Sequence, residues 1–185
     1  MNRNILLILV KIALAIPVGF ALTYSFLSPT KTGGIFKEME MLGLPGSIVL
    51  TAVFFIAIYF YCRDLQRSLS LVRTSSRKAS PRSVWLMLLI PYNFVEDFFI
   101  MANVAKSLQQ EAQENPALAS FKSFGMVTGI GWCAAQIVGI LPNEIGSLGS
   151  ALGLPLWIIH WRLIRKISFA LSVAASANTD AKPSL

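Results

Sequence analysis

Four long apolar runs, separated by short polar stretches, dominate the pattern of hydrophobic and polar positions along the chain. Runs of this length and composition are typical of helices that cross a bilayer. They cover approximately residues 5–27, 46–62, 124–141 and 145–164. The pattern predicts a single transmembrane helical domain over residues 1–172, followed by a small, polar and disordered tail over residues 173–185.

Segment 84–111 has a different pattern, because its polar residues recur with the period of a helix. Pro91 interrupts an apolar start, and beyond it Phe94, Phe98 and Met101 fall on the face opposite to the polar one. The polar face carries Asn93, Glu96, Asp97, Asn103, Ser107, Gln110 and Glu111. This pattern predicts an amphipathic helix that is interfacial or half-inserted, in addition to the four spans.

The composition agrees with an all-α membrane protein and excludes most other classes of chain. Of the 185 residues, 55% are hydrophobic and only 14% are charged, which is too little charged surface for a soluble domain of this length. The same figures exclude a disordered chain, a coiled coil and a collagen-like chain.

The net charge of +7 is concentrated in the loop that follows the second apolar run. This loop has one acidic residue, Asp64, and no aromatic residue interleaves its cations, so nucleic-acid binding is not indicated. The cations of the loop are Arg63, Arg67, Arg73, Arg77, Lys78 and Arg82. The positive-inside rule makes the loop cytoplasmic, and its cations are candidates for contact with anionic lipid headgroups.

The charge after the last apolar run favours four spans over five. If segment 84–111 crossed the bilayer fully, Arg162, Arg165 and Lys166 would lie outside, against the positive-inside rule. A carboxylate near the bilayer centre would add a cost of about 3 kcal/mol. We therefore expect four spans with both termini in the cytoplasm, and five spans remain the alternative.

Glu96 and Asp97 form the only adjacent pair of carboxylates in the chain. One hypothesis is a proton or cation site that faces a polar cavity, with Lys11, Asn93 and Asn103 as its partners. The competing interpretation is that both carboxylates face water or headgroups from the polar side of an interfacial helix. Adjacent side chains on a helix point about 100° apart, which makes a shared ligand difficult.

Small residues recur every four positions in the last two apolar runs. The pairs Gly125/Gly129 and Gly149/Gly153 allow two helix backbones to approach closely, which predicts a tight hairpin across the turn at residues 142–143. Homodimerisation through the same residues is the alternative. Gln136 is the one strongly polar residue of its run, and we expect it to form a hydrogen bond between helices.

No catalytic, metal-binding or cofactor-binding motif is evident in the sequence. It contains no G-x-S-x-G, H-E-x-x-H or P-loop pattern, and the distant Cys62 and Cys133 lack the spacing of a zinc site. The only histidine, His160, lies between Trp157 and Trp161 and is interpreted as an interfacial residue. We expect no cofactor and no metal, and the sequence indicates no enzymatic activity, although it does not exclude one.

A short stretch around Pro91 resembles a pattern in small multi-pass membrane proteins of bacteria. It consists of Trp85, then Ile90-Pro91-Tyr92-Asn93, then Lys106-Ser107-Leu108. In those proteins, which belong to uncharacterised families of the domain-of-unknown-function type, a helix with this pattern lies between two N-terminal and two C-terminal spans. The resemblance implies a bacterial inner membrane and supplies no activity.

Together these features predict an accessory or scaffold protein of a bacterial inner membrane, with membrane lipid as a partner. Its apolar helices would pack with lipid, with other membrane proteins or with a second copy of the chain. The alternative is a small transporter or channel subunit in which Glu96, Asp97 and Lys11 belong to an intramembrane site.

Overall fold

The computed structural model describes residues 3–27 and 33–180 and shows an all-helical protein, which confirms the predicted fold class at that level. No strand occurs in the described part of the chain. The α-helices are α1 (Arg3–Leu27), α2 (Ile35–Met41), α3 (Gly43–Leu71), α4 (Asn93–Ala112), α5 (Met126–Gly139) and α6 (Glu144–Asp180). Two 3₁₀ segments are Pro81–Leu88 and Pro116–Leu118.

Two helices of the described chain are long and apolar enough to cross a membrane: Ile5–Leu27 within α1, and the whole of α3. Many of their apolar side chains are exposed, such as Phe20 and Leu44. Helix α5 is apolar but has only 14 residues, so it is about 21 Å long. Length and composition therefore give two candidate spans and do not confirm the predicted four.

Residues 81–112 form a hairpin, where the sequence predicted one amphipathic helix over residues 84–111. The first arm of the hairpin is the longer 3₁₀ segment, which packs along α3. The indole N–H of Trp85 donates to the side chain of Gln66 in α3 over 2.6 Å. Pro91 ends this arm, because proline lacks an N–H group and disfavours a helical conformation at the residue before it.

Helix α4 is the second arm and returns toward the end of α3 from which the first arm came. The guanidinium of Arg73, just beyond α3, lies 3.1 Å from the Glu111 carboxylate near the end of α4. The backbone N–H of Lys78 donates to the Ser107 hydroxyl over 2.8 Å. Both ends of the hairpin therefore lie at the same end of the bundle. Its turn reaches the level of Phe54, about 25 Å along α3 from the C-terminal end of that helix.

Helix α4 is buried on both of its faces, which contradicts the interpretation that its polar face meets water or headgroups. Asn93 is 8% exposed, and Asp97, Ser107 and Glu111 are at most 2% exposed, close to the 1% of the apolar Val104. Helices α1 and α5 and the first arm of the hairpin cover this helix. Its polar side chains consequently belong to the interior of the bundle, where each requires a partner.

Helices α5 and α6 pack closely as an antiparallel pair across a short turn. The side chain of Asn143 accepts a hydrogen bond from the backbone N–H of Gly146 over 3.1 Å, which caps the first turn of α6. Helix α6 continues to Asp180, so residues 173–180, predicted as the start of a disordered tail, are helical. Alanine is frequent there and favours a helix. The remainder of the predicted tail, residues 181–185, lies outside the described residues.

Candidate functional site

Glu96, on α4, forms an ion pair with Lys11, on α1. Lys11 Nζ lies 2.6 Å from Glu96 Oε2, and the two side chains are 16% and 8% exposed. The ammonium also lies over the ring of Phe99, 4.2 Å from its centroid, and the Tyr92 side chain interacts with the Glu96 carboxylate. Each charge has its counter-ion, so the pair is neutral as a whole and ties α1 to the hairpin.

Asp97 faces different neighbours, on α5, where the side chain of Gln136 interacts with its carboxyl group. Asp97 is only 2% exposed, and no cation pairs with it in the described chain. Asn93 lies one turn earlier on α4 and is 8% exposed. Neither Asn93 Oδ1 nor Asp97 Oδ1 has a hydrogen-bond partner among the described residues.

A small, largely enclosed cavity of about 20 Å³ lies beside these side chains. Asn93, Asp97 and Gln136 line one part of its wall, and the rest is apolar, including Phe54 and Trp132. A cavity of this size holds one water-sized particle. The cavity therefore offers a small species a mainly apolar environment with three polar side chains in its wall.

Asn103, the remaining residue of the predicted polar or ion site, does not join either group. Its side chain makes no hydrogen bond or ion pair within residues 3–27 and 33–180, and only its backbone carbonyl accepts a bond, from the Ser107 hydroxyl. Gln136, for which the sequence suggested a contact between helices, lies beside Asp97, so its partner is on α4. The five predicted residues thus separate into an ion pair, a cavity-lining pair and one residue apart.

Tyr61 and His160 form a second polar contact, in the core between α3, α5 and α6, which the sequence did not predict. The Tyr61 hydroxyl lies 2.7 Å from His160 Nδ1, and both residues are fully buried. The interpretation of His160 as interfacial is therefore wrong. The rings of Trp132, Trp157 and Trp161 surround Tyr61 edge-on, so burial of aromatic area accompanies this polar contact.

Gly125 and Gly129 provide the space that His160 occupies. A Cβ atom at these positions would lie 2.8 Å and 3.1 Å, respectively, from His160 Nε2. Gly125 also has a φ of +83°, a conformation that favours glycine. The four-residue spacing of the glycines was the available signal, but a spacing does not identify the side chain that fills the groove.

Gly149 and Gly153 differ in how closely α5 approaches them. A Cβ atom at Gly149 would lie 2.7 Å from the backbone nitrogen of Gly139. One at Gly153 would lie 3.5 Å from the Cβ of Ala135, which is an ordinary van der Waals distance. The closest approach of the two backbones is therefore at Gly149.

The cations of the loop after α3 divide into two groups. Arg73 pairs with Glu111 and Glu114, and Arg77 donates to two backbone carbonyls at the end of α3. The remaining cations of the predicted headgroup set are exposed and have no acidic partner in the part of the chain that the structure describes: Arg63, Arg67, Lys78 and Arg82.

Glu111 holds the end of the hairpin against the end of α3, and its side chain is 1% exposed. Burial acts to raise its pKa, but hydrogen bonds from Asn115 and Arg73 outweigh burial and hold the pKa below the ordinary value of a glutamate. The carboxylate is therefore charged at neutral pH, as its pairing with Arg73 requires.

The side chains of the described residues limit the chemistry that is available. Among them, no group of three or more His, Cys, Asp or Glu side chains is arranged to hold a metal ion. Cys62 and Cys133 are buried free thiols. The cavity beside Asp97 and the exposed cations at the end of α3 are each able to bind a ligand.

Comparisons with known proteins add no relative of this chain. No protein-family model matches it, and neither a curated protein nor a solved structure matches it. Support for a function therefore comes from the residues of the chain itself.

Proposed function

We propose that the chain crosses a membrane four times, through α1, α3, α5 and the first half of α6, while the hairpin of residues 81–112 enters and leaves on one side. The contacts of Arg73 and Lys78 with α4 support this arrangement, because they hold both ends of the hairpin near the end of α3. Leu89 and Ile90, at the turn of the hairpin, are each 55% exposed. Lipid would remove this apolar surface from water.

The positions of exposed cations support an orientation with this end in the cytoplasm. The indole N–H of Trp161 donates to the Asp64 carboxylate over 2.7 Å, which places the basic flank of α6 beside the basic end of α3. Arg162 and Lys166 belong to that flank. Under the positive-inside rule this end and both termini are cytoplasmic. The resemblance in residues 85–108 favours a bacterial inner membrane.

The function proposed is that of a non-enzymatic accessory or scaffold protein that binds anionic lipid headgroups at its cytoplasmic end. One observation carries this proposal: Arg63, Arg67, Lys78 and Arg82 are exposed without an acidic partner in the described chain. Each cation near an anionic surface contributes about 1 kcal/mol, so the set would favour an anionic lipid by about a thousandfold.

Lipid binding can be measured by native mass spectrometry of the purified chain titrated with phosphatidylglycerol or phosphatidylcholine. We expect phosphatidylglycerol to bind preferentially, and Arg67→Gln to weaken this preference by about fivefold, the equivalent of one cation. Arg77→Gln is the matched control, because it removes a cation of the same loop that already bonds to the backbone. Equal losses in the two variants would contradict the proposal, as would equal binding of the two lipids.

A small transporter or channel subunit is the second candidate function. The observation that favours it is the burial of Asp97 without a cationic partner in the described chain. The flux of protons or cations into proteoliposomes should then be lost in Glu96→Gln and in Asp97→Asn, provided that both variants insert normally. Wild-type flux in both variants would refute this second function.

A further inference from the structure

Asp97 is a buried carboxyl group whose counter-charge does not come from the described chain. The neighbouring Glu96 has one, because Lys11 Nζ lies 2.6 Å from it. The titratable side chains that interact with Asp97 from its own helix, from α3 and from α5 carry no positive charge; they are Glu96, Tyr61, Cys62 and Cys133. A carboxylate in such an interior requires neutralisation by a cation or by a proton.

The cavity beside Asp97 is large enough to hold a small cation. Its volume of about 20 Å³ suits one particle the size of a water molecule or a dehydrated alkali-metal ion. Asn93 and Asp97 both line it, and the Oδ1 atom of each side chain lacks a hydrogen-bond partner among the described residues. Both residues are more than nine-tenths buried, so bulk water does not satisfy these oxygens.

We propose that this cavity binds one monovalent metal cation, with Asn93 Oδ1 and Asp97 Oδ1 as ligands. Gln136 acts as a positioning residue, because its side chain lines the same cavity and interacts with the Asp97 carboxyl group. The apolar part of the lining, which includes Phe54 and Trp132, limits the access of water to the bound ion.

The charge of the site selects a monovalent ion. One carboxylate and one neutral amide oxygen balance a single positive charge, and the described residues offer no second free carboxylate nearby, since Glu96 is paired with Lys11. A divalent ion would take more oxygen ligands, several of them charged. Metals that prefer histidine or cysteine find no suitable cluster in the part of the chain that the structure describes.

This inference goes beyond lipid binding and deepens the second candidate function, on whose buried site it rests. Binding of an ion is an equilibrium property that can be measured without flux. If the ion binds but proteoliposomes show no transport, the transporter hypothesis is refuted, whereas the proposal of an ion site is supported.

Thermal unfolding of the purified chain in detergent at pH 8 tests the proposal. Choline chloride is replaced by NaCl or KCl at constant ionic strength, so that general salt effects cancel. At an ion concentration near one hundred times the dissociation constant, we expect a rise in Tm of about 5 °C with at least one of the two ions. No rise with either ion would overturn the proposal, and Asp97 would then be neutralised by a proton.

Three variants assign the effect to this cavity. Asp97→Asn should abolish the rise, and Asn93→Leu should increase the ion concentration for half-maximal effect by about tenfold, since it removes one ligand. Glu144→Gln is the matched control, because it removes an exposed carboxylate at the start of α6 and should keep the full rise. A full rise in Asp97→Asn, in protein that elutes as a single folded species, would overturn the assignment.

Discussion

Replacement of Gly149 by alanine should destabilise the protein, whereas the same replacement at Gly153, one turn later, should not. The Cβ atom added at position 149 would lie 2.7 Å from the nitrogen of Gly139 and 2.9 Å from the carbonyl carbon of Val138. These are backbone atoms, which cannot rotate away as a side chain can, so α5 and α6 would have to move apart. Overpacking of this kind costs about 1–3 kcal/mol, and the higher helix propensity of alanine offsets up to about 1 kcal/mol of it.

At Gly153 only the gain in helix propensity remains, because the new Cβ would meet Ala135 at an ordinary 3.5 Å. We therefore expect Gly149→Ala to lower Tm by about 3–6 °C and Gly153→Ala to leave it unchanged or raise it by up to about 3 °C. Fluorescence of the four tryptophans reports the unfolding in detergent. Equal Tm values for the two variants, or a larger loss at Gly153, would refute the packing of α5 against α6 described above.

Two further predictions concern the buried charges. Lys11→Met leaves the Glu96 carboxylate without its counter-ion and should lower the free energy of unfolding by about 3–5 kcal/mol. The double variant that also carries Glu96→Gln should recover part of this stability. If the stability losses of the two substitutions, measured by thermal unfolding, are simply additive, the two side chains do not form a stabilising ion pair. The lowered pKa of Glu111 contributes stability that is complete above the ordinary glutamate pKa and is lost as pH falls through the lower folded-state value. Wild-type Tm should thus fall as the pH drops below the ordinary glutamate pKa, and Glu111→Gln should flatten that dependence. An identical pH profile of Tm in the variant would show that Glu111 does not contribute.

The apolar runs were sufficient to predict an all-helical chain and the positions of α1 and α3. Helix α3 extends to Leu71, beyond the predicted end of the run at residue 62, because Leu65 and Leu69 continue its buried face among more polar residues. A search of the sequence for continuous apolar runs ends before this part of α3, because polar residues interrupt the run there. The end of a helix inside a bundle depends on its neighbours, which periodicity does not report.

The polar face of α4 was correctly recognised from the sequence, but not what covers it. A helix whose polar side chains meet water and a helix whose polar side chains meet one another have the same periodicity. Here the partners come from distant segments, with Lys11 on α1 and Gln136 on α5. Which of the two environments applies is determined by tertiary contacts that no local pattern contains.

Tyr61 and His160 illustrate the same limit for the core. They are separated by 99 residues and meet at 2.7 Å. The flanking residues Trp157 and Trp161 suggested an interface, because tryptophan is frequent at the edge of a bilayer. In this fold the same tryptophans pack around Tyr61, and the glycines of α5 make the space that the histidine requires.

The sidedness of the hairpin is the most direct test of the account. Single cysteines introduced at Glu40, Ser75 and Gln113, in a background without Cys62 and Cys133, can be labelled from either side of oriented membrane vesicles with an impermeant maleimide. The hairpin predicts that Ser75→Cys and Gln113→Cys react from one side and Glu40→Cys from the other. Reaction of Gln113→Cys from the same side as Glu40→Cys would mean that segment 81–112 crosses the membrane, and the four-span arrangement would be wrong.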